Sequence, residues 1–132
     1  MHTFEFVIPG PPVSVHARNR RAYRAWKESV LIEALRNSPA ALDFDARLTI
    51  VFVSTVRSPI DVDNVIKPIQ DALAGVFYGD DEMVSDVEAH RRTWADEVGD
   101  ESLPHLLQAA WKARVDCVYV RIQRIGKLGE ML

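Results

Sequence analysis

Residues 57–84 read RSPIDVDNVIKPIQDALAGVFYGDDEMV, and this stretch decides how the rest of the chain is interpreted. Its apolar residues recur at the spacing of one helical face, which predicts a helix in the middle of the stretch. Asp63 or Asn64 is expected to cap the start of that helix. Because proline lacks the N–H that an intrahelical hydrogen bond needs, Pro68 is expected in the first turn. The helix should therefore begin at residue 64 or 65, with Asp61 outside it.

Two pairs of carboxylates flank this predicted helix, Asp61 and Asp63 before it and Asp80 and Asp81 after it. Carboxylates from two separate turns can converge on one divalent cation, and oxygen ligands suit Mg²⁺ or Mn²⁺. The alternative is that the first pair belongs to a turn and a helix cap and the second to a solvated loop. Asp and Asn favour turns and caps for purely local reasons, so the spacing alone leaves both interpretations open.

Lys67 lies four residues after Asp63, on the same stripe of the predicted helix. In that position its ammonium group can neutralise a carboxylate or bind a phosphate oxygen as a compact point charge. The lysine therefore fits a site that handles phosphate beside a metal ion.

A longer pattern contains these residues. It consists of Asp61-x-Asp63-Asn64-x-x-Lys67-x-x-x-Asp71-Ala72-Leu73, then Gly75, Phe77-Tyr78 and Asp80-Asp81, with an N-terminal run Ile8-Pro9-Gly10-Pro11-Pro12-Val13. This pattern resembles the RusA family of Holliday-junction resolvases, and together its parts cover roughly the first two thirds of the chain. With the resemblance, the metal site becomes the favoured interpretation of the acidic residues.

The resemblance implies a Mg²⁺-dependent, structure-selective endodeoxyribonuclease that acts as a homodimer on four-way DNA junctions, with Mn²⁺ as a plausible substitute. It implies catalytic roles for Asp61, Asp63, Asp81 and Lys67. It also implies metal binding by the first three of these together with Asp80. Asp71 matches the family pattern too, without a defined role.

Composition agrees with one soluble domain spanning residues 1–132, since 48% of residues are hydrophobic and 27% are charged. No apolar run is long enough to span a membrane. The start of the chain is too short and polar for a signal peptide, so a cytoplasmic location is expected. Cys117, the single cysteine, excludes an internal disulfide framework and any cysteine-based zinc cluster.

The net charge of −3 counts against a nucleic-acid-binding protein, but the charges are unevenly distributed. Between residues 14 and 27 there are five basic residues and no acidic one, and Arg91 and Arg92 lie in a predicted strand. Uncompensated cations repel each other without a partner, so phosphate contact is favoured over a merely solvated basic face. The predicted DNA-binding residues are Arg18, Arg20, Arg21, Arg24, Lys27, Arg91 and Arg92.

A helix is predicted over residues 17–35, with Tyr23 and Trp26 on its apolar stripe. These two aromatic residues are expected in the core, and stacking on an unpaired base is the alternative. The remaining patterns alternate strand and helix along the chain. The predicted fold is α+β, an α/β sandwich in which a mixed sheet of about four strands carries helices. The homodimer is expected from the resemblance.

Residues 96–112 are longer than the connection expected from the resemblance. They include an acidic loop and a further amphipathic helix. Three roles are open for this insertion: it covers an edge strand, it widens the contact between subunits, or it changes the substrate.

Two other classes of function compete with the nuclease. The first is a non-catalytic DNA-binding or dimerisation module with the same fold, which would show no Mg²⁺-dependent cutting. The second is a different metal enzyme that uses Asp-x-Asp, such as a nucleotide-sugar transferase or a phosphatase. The absence of a Gly-rich phosphate loop from the sequence counts against this second class.

Overall fold

The alternation of strands and helices is confirmed by a computed structural model, which describes residues 3–37, 42–74, 77, 83–96 and 102–132. The class is α+β, as predicted. The elements are β1 (Thr3–Pro9), α1 (Arg20–Asn37), β2 (Ala46–Ser54), α2 (Val62–Leu73), β3 (Val84–Thr93), α3 (His105–Ala113), β4 (Cys117–Arg124) and the short helix α4 (Leu128–Met131). No helix within these described ranges is long and apolar enough to cross a membrane.

The sheet is mixed, with the strand order β1-β4-β2-β3. Strand β4 runs antiparallel to both of its neighbours, whereas β2 and β3 are parallel and directly paired. Ser54 at the carboxyl end of β2 therefore lies opposite Thr93 at the carboxyl end of β3. Parallel neighbours need a crossover connection, and α2 provides it. The chain leaves β2 and enters α2 at the same edge of the sheet at which β3 ends.

One face of the sheet is closed by α1 and α2, which pack against each other and bury the larger apolar cluster. Alternate residues of β1, β2 and β4 point into this cluster, as the two-residue period of a strand requires. Tyr23 and Trp26 are only 4% and 5% exposed. Their predicted place in the core is confirmed, and base stacking by these two rings is excluded by their burial.

Within the described ranges, the residues that pack on the opposite face come from α3 and from the 3-10 turn at Trp94–Asp96. Leu107 of α3 and Trp94 pack with Cys117 and Tyr119 of β4 in a second, smaller cluster. The Trp94 indole N–H donates a hydrogen bond of 2.7 Å to the carbonyl of Val115. The described part of the insertion therefore packs on the second face, over β4 and the edge strand β1, as the first of the three open roles predicts.

The start of α2 differs from the prediction in two respects. The helix begins at Val62 and not at residue 64 or 65, and Pro68 lies in its interior and not in its first turn. Pro68 cannot donate to the carbonyl of Asn64, four residues before it. That carbonyl instead accepts the backbone N–H of Val15, at 3.3 Å. The proline is tolerated because its would-be acceptor is bonded outside the helix.

Candidate active site

The acidic turn, residues 60–64, lies where the chain enters α2. Asp61 is the N-cap residue and Asp63 belongs to the first helical turn, so the expected capping by Asp63 or Asn64 is wrong. The cap uses the backbone only: the carbonyl of Asp61 accepts the Asn64 N–H at 3.0 Å, and its side chain makes no cap hydrogen bond. Neither carboxylate takes part in the hydrogen bonding that caps the helix.

Both carboxylates of the acidic turn are exposed. Among the described residues, none forms a hydrogen bond or ion pair with the side chain of Asp61 or Asp63. The partial positive charge of a helix N-terminus favours anionic groups at this place. Exposed, unpaired carboxylate oxygens are the donor set that Mg²⁺ accepts, usually with several waters and a phosphate. The first acidic pair therefore fits a divalent cation.

The second acidic pair, Asp80 and Asp81, lies outside the described residues, and so does Gly75. Within the described ranges, three acidic, histidine or cysteine side chains are nowhere grouped closely enough to hold a metal ion. The convergence of the two pairs stays a prediction.

The nearest described residues to the second pair lie at the far end of α2 from the acidic turn. The N–H of Phe77 donates to the carbonyl of Leu73, the last residue of α2, at 2.9 Å. Met83 immediately precedes β3, whose first residue pairs with Ala46 at the start of β2. A twelve-residue helix is about 18 Å long at 1.5 Å per residue.

Lys67 lies on the exposed side of α2 and pairs with Asp71, with 3.0 Å between Nζ and Oδ1. The side chain of Lys67 remains 52% exposed, so its ammonium group stays accessible to a ligand. The predicted spacing from Asp63 on one helical stripe is confirmed, because both residues belong to α2. Asp71, which had no defined role, holds the ammonium group in place.

Beside the acidic turn lies a cavity of about 140 Å³, which we call the arginine cavity. It is lined by three arginines, three hydroxyl side chains and one carboxylate: Arg57, Arg91, Arg92, Ser54, Ser58, Thr93 and Asp96. Arg91 Nη1 donates a hydrogen bond of 2.6 Å to the carbonyl of Ile60, the residue before Asp61. The wall of the cavity is thus bonded directly to the acidic turn.

The sequence pointed to Arg91 and Arg92 but missed Arg57 and Ser58. The missed residues follow β2, and the found ones end β3, 34 positions further along the chain. They meet because the two strands are parallel neighbours whose carboxyl ends share one edge of the sheet. The sequence did contain a signal for Arg57, because it is a basic residue in the short segment between β2 and the acidic turn.

The basic strip before and along α1 divides into two groups. Arg20 donates hydrogen bonds of 3.1 Å to the carbonyls of Val15 and Ala17, and its guanidinium lies 4.1 Å from the centre of the Tyr23 ring. Lys27 lies over the same ring, at 4.9 Å. These two cations have contacts that stabilise the start of α1. The other three predicted DNA-binding residues of the strip are exposed: Arg18, Arg21 and Arg24.

Asn19 caps α1, because its side-chain oxygen accepts the N–H of Ala22 at 3.0 Å. The helix therefore begins at Arg20, three residues later than predicted. The segment before it is attached to the acidic turn through the bond from Val15 to Asn64. The basic strip and the acidic turn are neighbours in the fold.

Comparison with protein-family models assigns the chain to a family. The family model described as endodeoxyribonuclease RusA matches residues 14–101, which include the basic strip, the acidic turn and the arginine cavity. A search of curated proteins found no match. Because the matched region covers about two thirds of the chain, the protein belongs to the RusA family of endodeoxyribonucleases.

Proposed function

We propose that the protein is a Mg²⁺-dependent, structure-selective endodeoxyribonuclease that resolves four-way DNA junctions by hydrolysing phosphodiester bonds. The observation that supports this most directly is the acidic turn, whose two exposed carboxylates have no partner among the described residues. Membership of an endodeoxyribonuclease family supports the same activity. Branched DNA is the proposed substrate.

The metal ion would be held by Asp61 and Asp63, together with Asp81 and Asp80. When bound, the ion supplies positive charge to the scissile phosphate and lowers the pKa of a coordinated water. Mn²⁺ suits the same oxygen ligands. The exposure of both described carboxylates leaves them accessible to an ion from solvent.

The side chains of the chain perform the remaining steps. A carboxylate of the acidic cluster accepts the proton of the attacking water. Attack in line with the leaving oxygen breaks the P–O3′ bond and gives a 5′-phosphate, and the departing oxygen takes a proton from solvent to become the 3′-hydroxyl. Lys67 stabilises the negative charge that develops on the phosphate. Its ion pair with Asp71, at 3.0 Å, limits the positions its ammonium group can adopt.

We include a homodimer in the proposal because a four-way junction presents two symmetric strands for cutting. A two-fold dimer offers two sites related by the same symmetry. Because the sequence shows no clear base-reading helix, we propose that the enzyme selects its DNA substrate by junction shape and backbone contacts. The exposed arginines of the basic strip and the arginine cavity are the surfaces proposed for the phosphates.

The experiment that tests this function compares labelled four-way junction, fork, flap and linear duplex, each with Mg²⁺ and with EDTA. We expect Mg²⁺-dependent cutting of the junction and loss of cutting in Asp63→Asn, with junction binding intact or tighter because a negative charge is removed. A protein that binds the junction and never cuts it is the non-catalytic module. Normal cutting by both Asp63→Asn and Asp81→Asn would refute the mechanism.

A mixing experiment determines which subunit supplies the second acidic pair. Asp63→Asn and Asp81→Asn are each expected to be inactive as homodimers. If the two pairs meet across the subunit contact, the mixed dimer contains one intact site, so mixing restores cutting of one strand. If both pairs belong to one subunit, every site in the mixture carries a substitution and activity stays absent.

A further inference from the structure

We propose that the arginine cavity binds one internal phosphate of the DNA strand, a different phosphate from the one that is hydrolysed. That the ligand is DNA rests on the proposed function. The cavity itself is defined by geometry, because two segments far apart in the chain meet at the carboxyl ends of β2 and β3. Bound there, the phosphate would anchor the strand beside the acidic turn.

The charge of the lining selects an anion. The described residues of the lining include three guanidinium groups and one carboxylate, a formal excess of two positive charges, in a chain whose net charge is −3. The carboxylate of Asp96 already accepts the hydroxyl proton of Thr93, at 2.7 Å. Like charges gathered in one cavity repel each other unless an anion lies between them.

Enough hydrogen-bond donors remain for a phosphate. Each guanidinium has five N–H groups. Arg91 uses one on the carbonyl of Ile60, and Arg92 uses one on the carbonyl of Arg91, at 2.9 Å. The hydroxyl of Ser58 accepts the N–H of Ile60 at 3.2 Å, so its own proton remains available to donate. The guanidinium fork matches phosphate oxygens in pairs.

The size and lining exclude a base or a whole nucleotide. The volume of about 140 Å³ is well below the roughly 300–1,000 Å³ of pockets for small organic ligands. None of the described residues that line it has an aromatic ring, so among them a base would have no stacking partner. A single phosphate with a few waters is the ligand that these dimensions accept.

The position of the cavity separates its phosphate from the scissile one. Asp61 and Asp63 do not line it, and its hydrogen bond to the acidic turn is made by Arg91 to Ile60, the residue before Asp61. The carboxylates repel a phosphate when no cation is bound, whereas the arginines attract it in any state. The cavity should therefore hold DNA in metal-free solution, before the catalytic ion arrives.

Arg57 is the residue to substitute, since its side chain is exposed and makes no hydrogen bond or ion pair among the described residues. Arg57→Gln should leave the fold unchanged. The matched control is Arg36→Gln, at the last turn of α1, where the side chain is 69% exposed and pairs with Glu33. Equal thermal unfolding of both variants and the parent protein checks that each is folded.

The first measurement uses inorganic phosphate alone, followed by NMR of the arginine side-chain N–H signals. We expect phosphate to shift the signals of Arg57, Arg91 and Arg92 and to leave that of Arg36 in place. Equal shifts at all arginines, or none at the cavity, would overturn the proposal without reference to cleavage.

The second measurement uses junctions that carry one neutral methylphosphonate at successive positions, bound in EDTA. One position should weaken binding by the parent protein and by Arg36→Gln by about tenfold, as expected for charge-assisted hydrogen bonds. The same position should have a clearly smaller effect on Arg57→Gln, in which only Arg91 and Arg92 remain to contact the phosphate. Additive effects at every position, or a sensitive position at the cleaved phosphate, would contradict the proposal.

Cleavage is measured separately, so the two proposals can fail independently. A junction that is never cut refutes the nuclease and leaves the binding result in EDTA valid. Conversely, Mg²⁺-dependent cutting with no sensitive phosphate refutes the anchor and leaves the nuclease intact.

Discussion

The acidic turn and the arginine cavity lie at the same edge of the sheet, but their charged side chains differ in how they are bonded to the rest of the protein. The carboxylates of Asp61 and Asp63 have no partner among the described residues, whereas Arg91 and Arg92 are each bonded to backbone carbonyls. Within the described ranges no ion pair joins the two regions, although Arg57 is only four residues from Asp61. Opposite charges this close that stay unpaired remain available to bind two different ligands, a cation and an anion.

The largest effect is expected from Asp61→Asn. Asparagine keeps the size of the side chain and removes the charge, so cleavage should fall by about 10² to 10³-fold, the range for losing one electrostatic contact in an active site. Because the Asp61 side chain makes no cap hydrogen bond, thermal stability should stay within about 0.5 kcal/mol of the parent. Parallel cleavage and unfolding measurements check both values. A large loss of stability would show that the carboxylate is structural.

A smaller effect is expected from Arg91→Met, which removes the bond between the cavity and the carbonyl of Ile60. Arg91 is a positioning residue for the acidic turn as well as a ligand of the proposed phosphate. Cleavage should fall by about 10 to 100-fold, the usual cost of losing support around a metal ligand, and the Mg²⁺ concentration for half-maximal rate should rise. Arg57→Gln provides the comparison, since it should weaken DNA binding and leave the Mg²⁺ requirement unchanged. Equal Mg²⁺ requirements in both variants would argue against a positioning role.

A still smaller effect, on the salt dependence of DNA affinity, is expected to distinguish variants of the two regions. Each neutralised phosphate contributes about 0.9 to the slope of log affinity against log salt. Arg57→Gln should therefore reduce the magnitude of the slope by about one, whereas Asp61→Asn should not reduce it. Binding titrations over a range of salt concentrations in EDTA measure both slopes. A reduced slope in the aspartate variant would mean that the two regions are not independent.

The smallest effect on function is expected from Tyr119→Phe, which lies away from both regions and serves as a control. Burial above all, together with a hydrogen bond to Glu5 and the charge of that carboxylate, raises the pKa of Tyr119 to about 12 against the opposing effect of Arg121. A pKa raised in the folded state gives stability that is complete below the ordinary value of about 10 and is lost as the pH rises towards 12. The substitution should remove this alkaline loss and leave cleavage and DNA binding at neutral pH unchanged. Denaturant unfolding between pH 8 and 12 checks the sign.

Cys117 contributes to the loss of stability over the same alkaline pH range, in the parent protein and in Tyr119→Phe alike. Burial, with a smaller effect of the nearby Asp116 charge, raises the pKa of its thiol to about 11. Its contribution is lost between about pH 9 and 11, by the same sign argument. The difference between Tyr119→Phe and the parent protein, and not the slope of either alone, is therefore the informative quantity.

The order of elements and the core could be predicted because strand and helix periods are local properties of the sequence. The first acidic pair was found in the same way, since both residues belong to one turn. The start of α2 was predicted wrongly because the rule for Pro68 assumes that the freed carbonyl has no other donor. Val15, 49 positions before Asn64, supplies that donor, and no local pattern shows it.

The arginine cavity could not be predicted in full for a related reason. Ser54 and Thr93 face each other only because β2 and β3 are parallel, adjacent and in one particular register. Periodicity identifies each strand but gives neither its neighbour nor its register. The position of α3 on the second face is equally nonlocal, since its apolar stripe would suit either face of the sheet.

The bond from Val15 to Asn64 has a practical consequence for deletion experiments. Removing residues 13–18, between β1 and α1, would take away the basic side chain of Arg18, and it would also leave a carbonyl of the first turn of α2 without its donor. Lost activity in such a shortened protein would then have two causes, weaker DNA contact and a shifted acidic turn. Neutralising Arg18, Arg21 and Arg24 by substitution keeps the tether and isolates the electrostatic contribution.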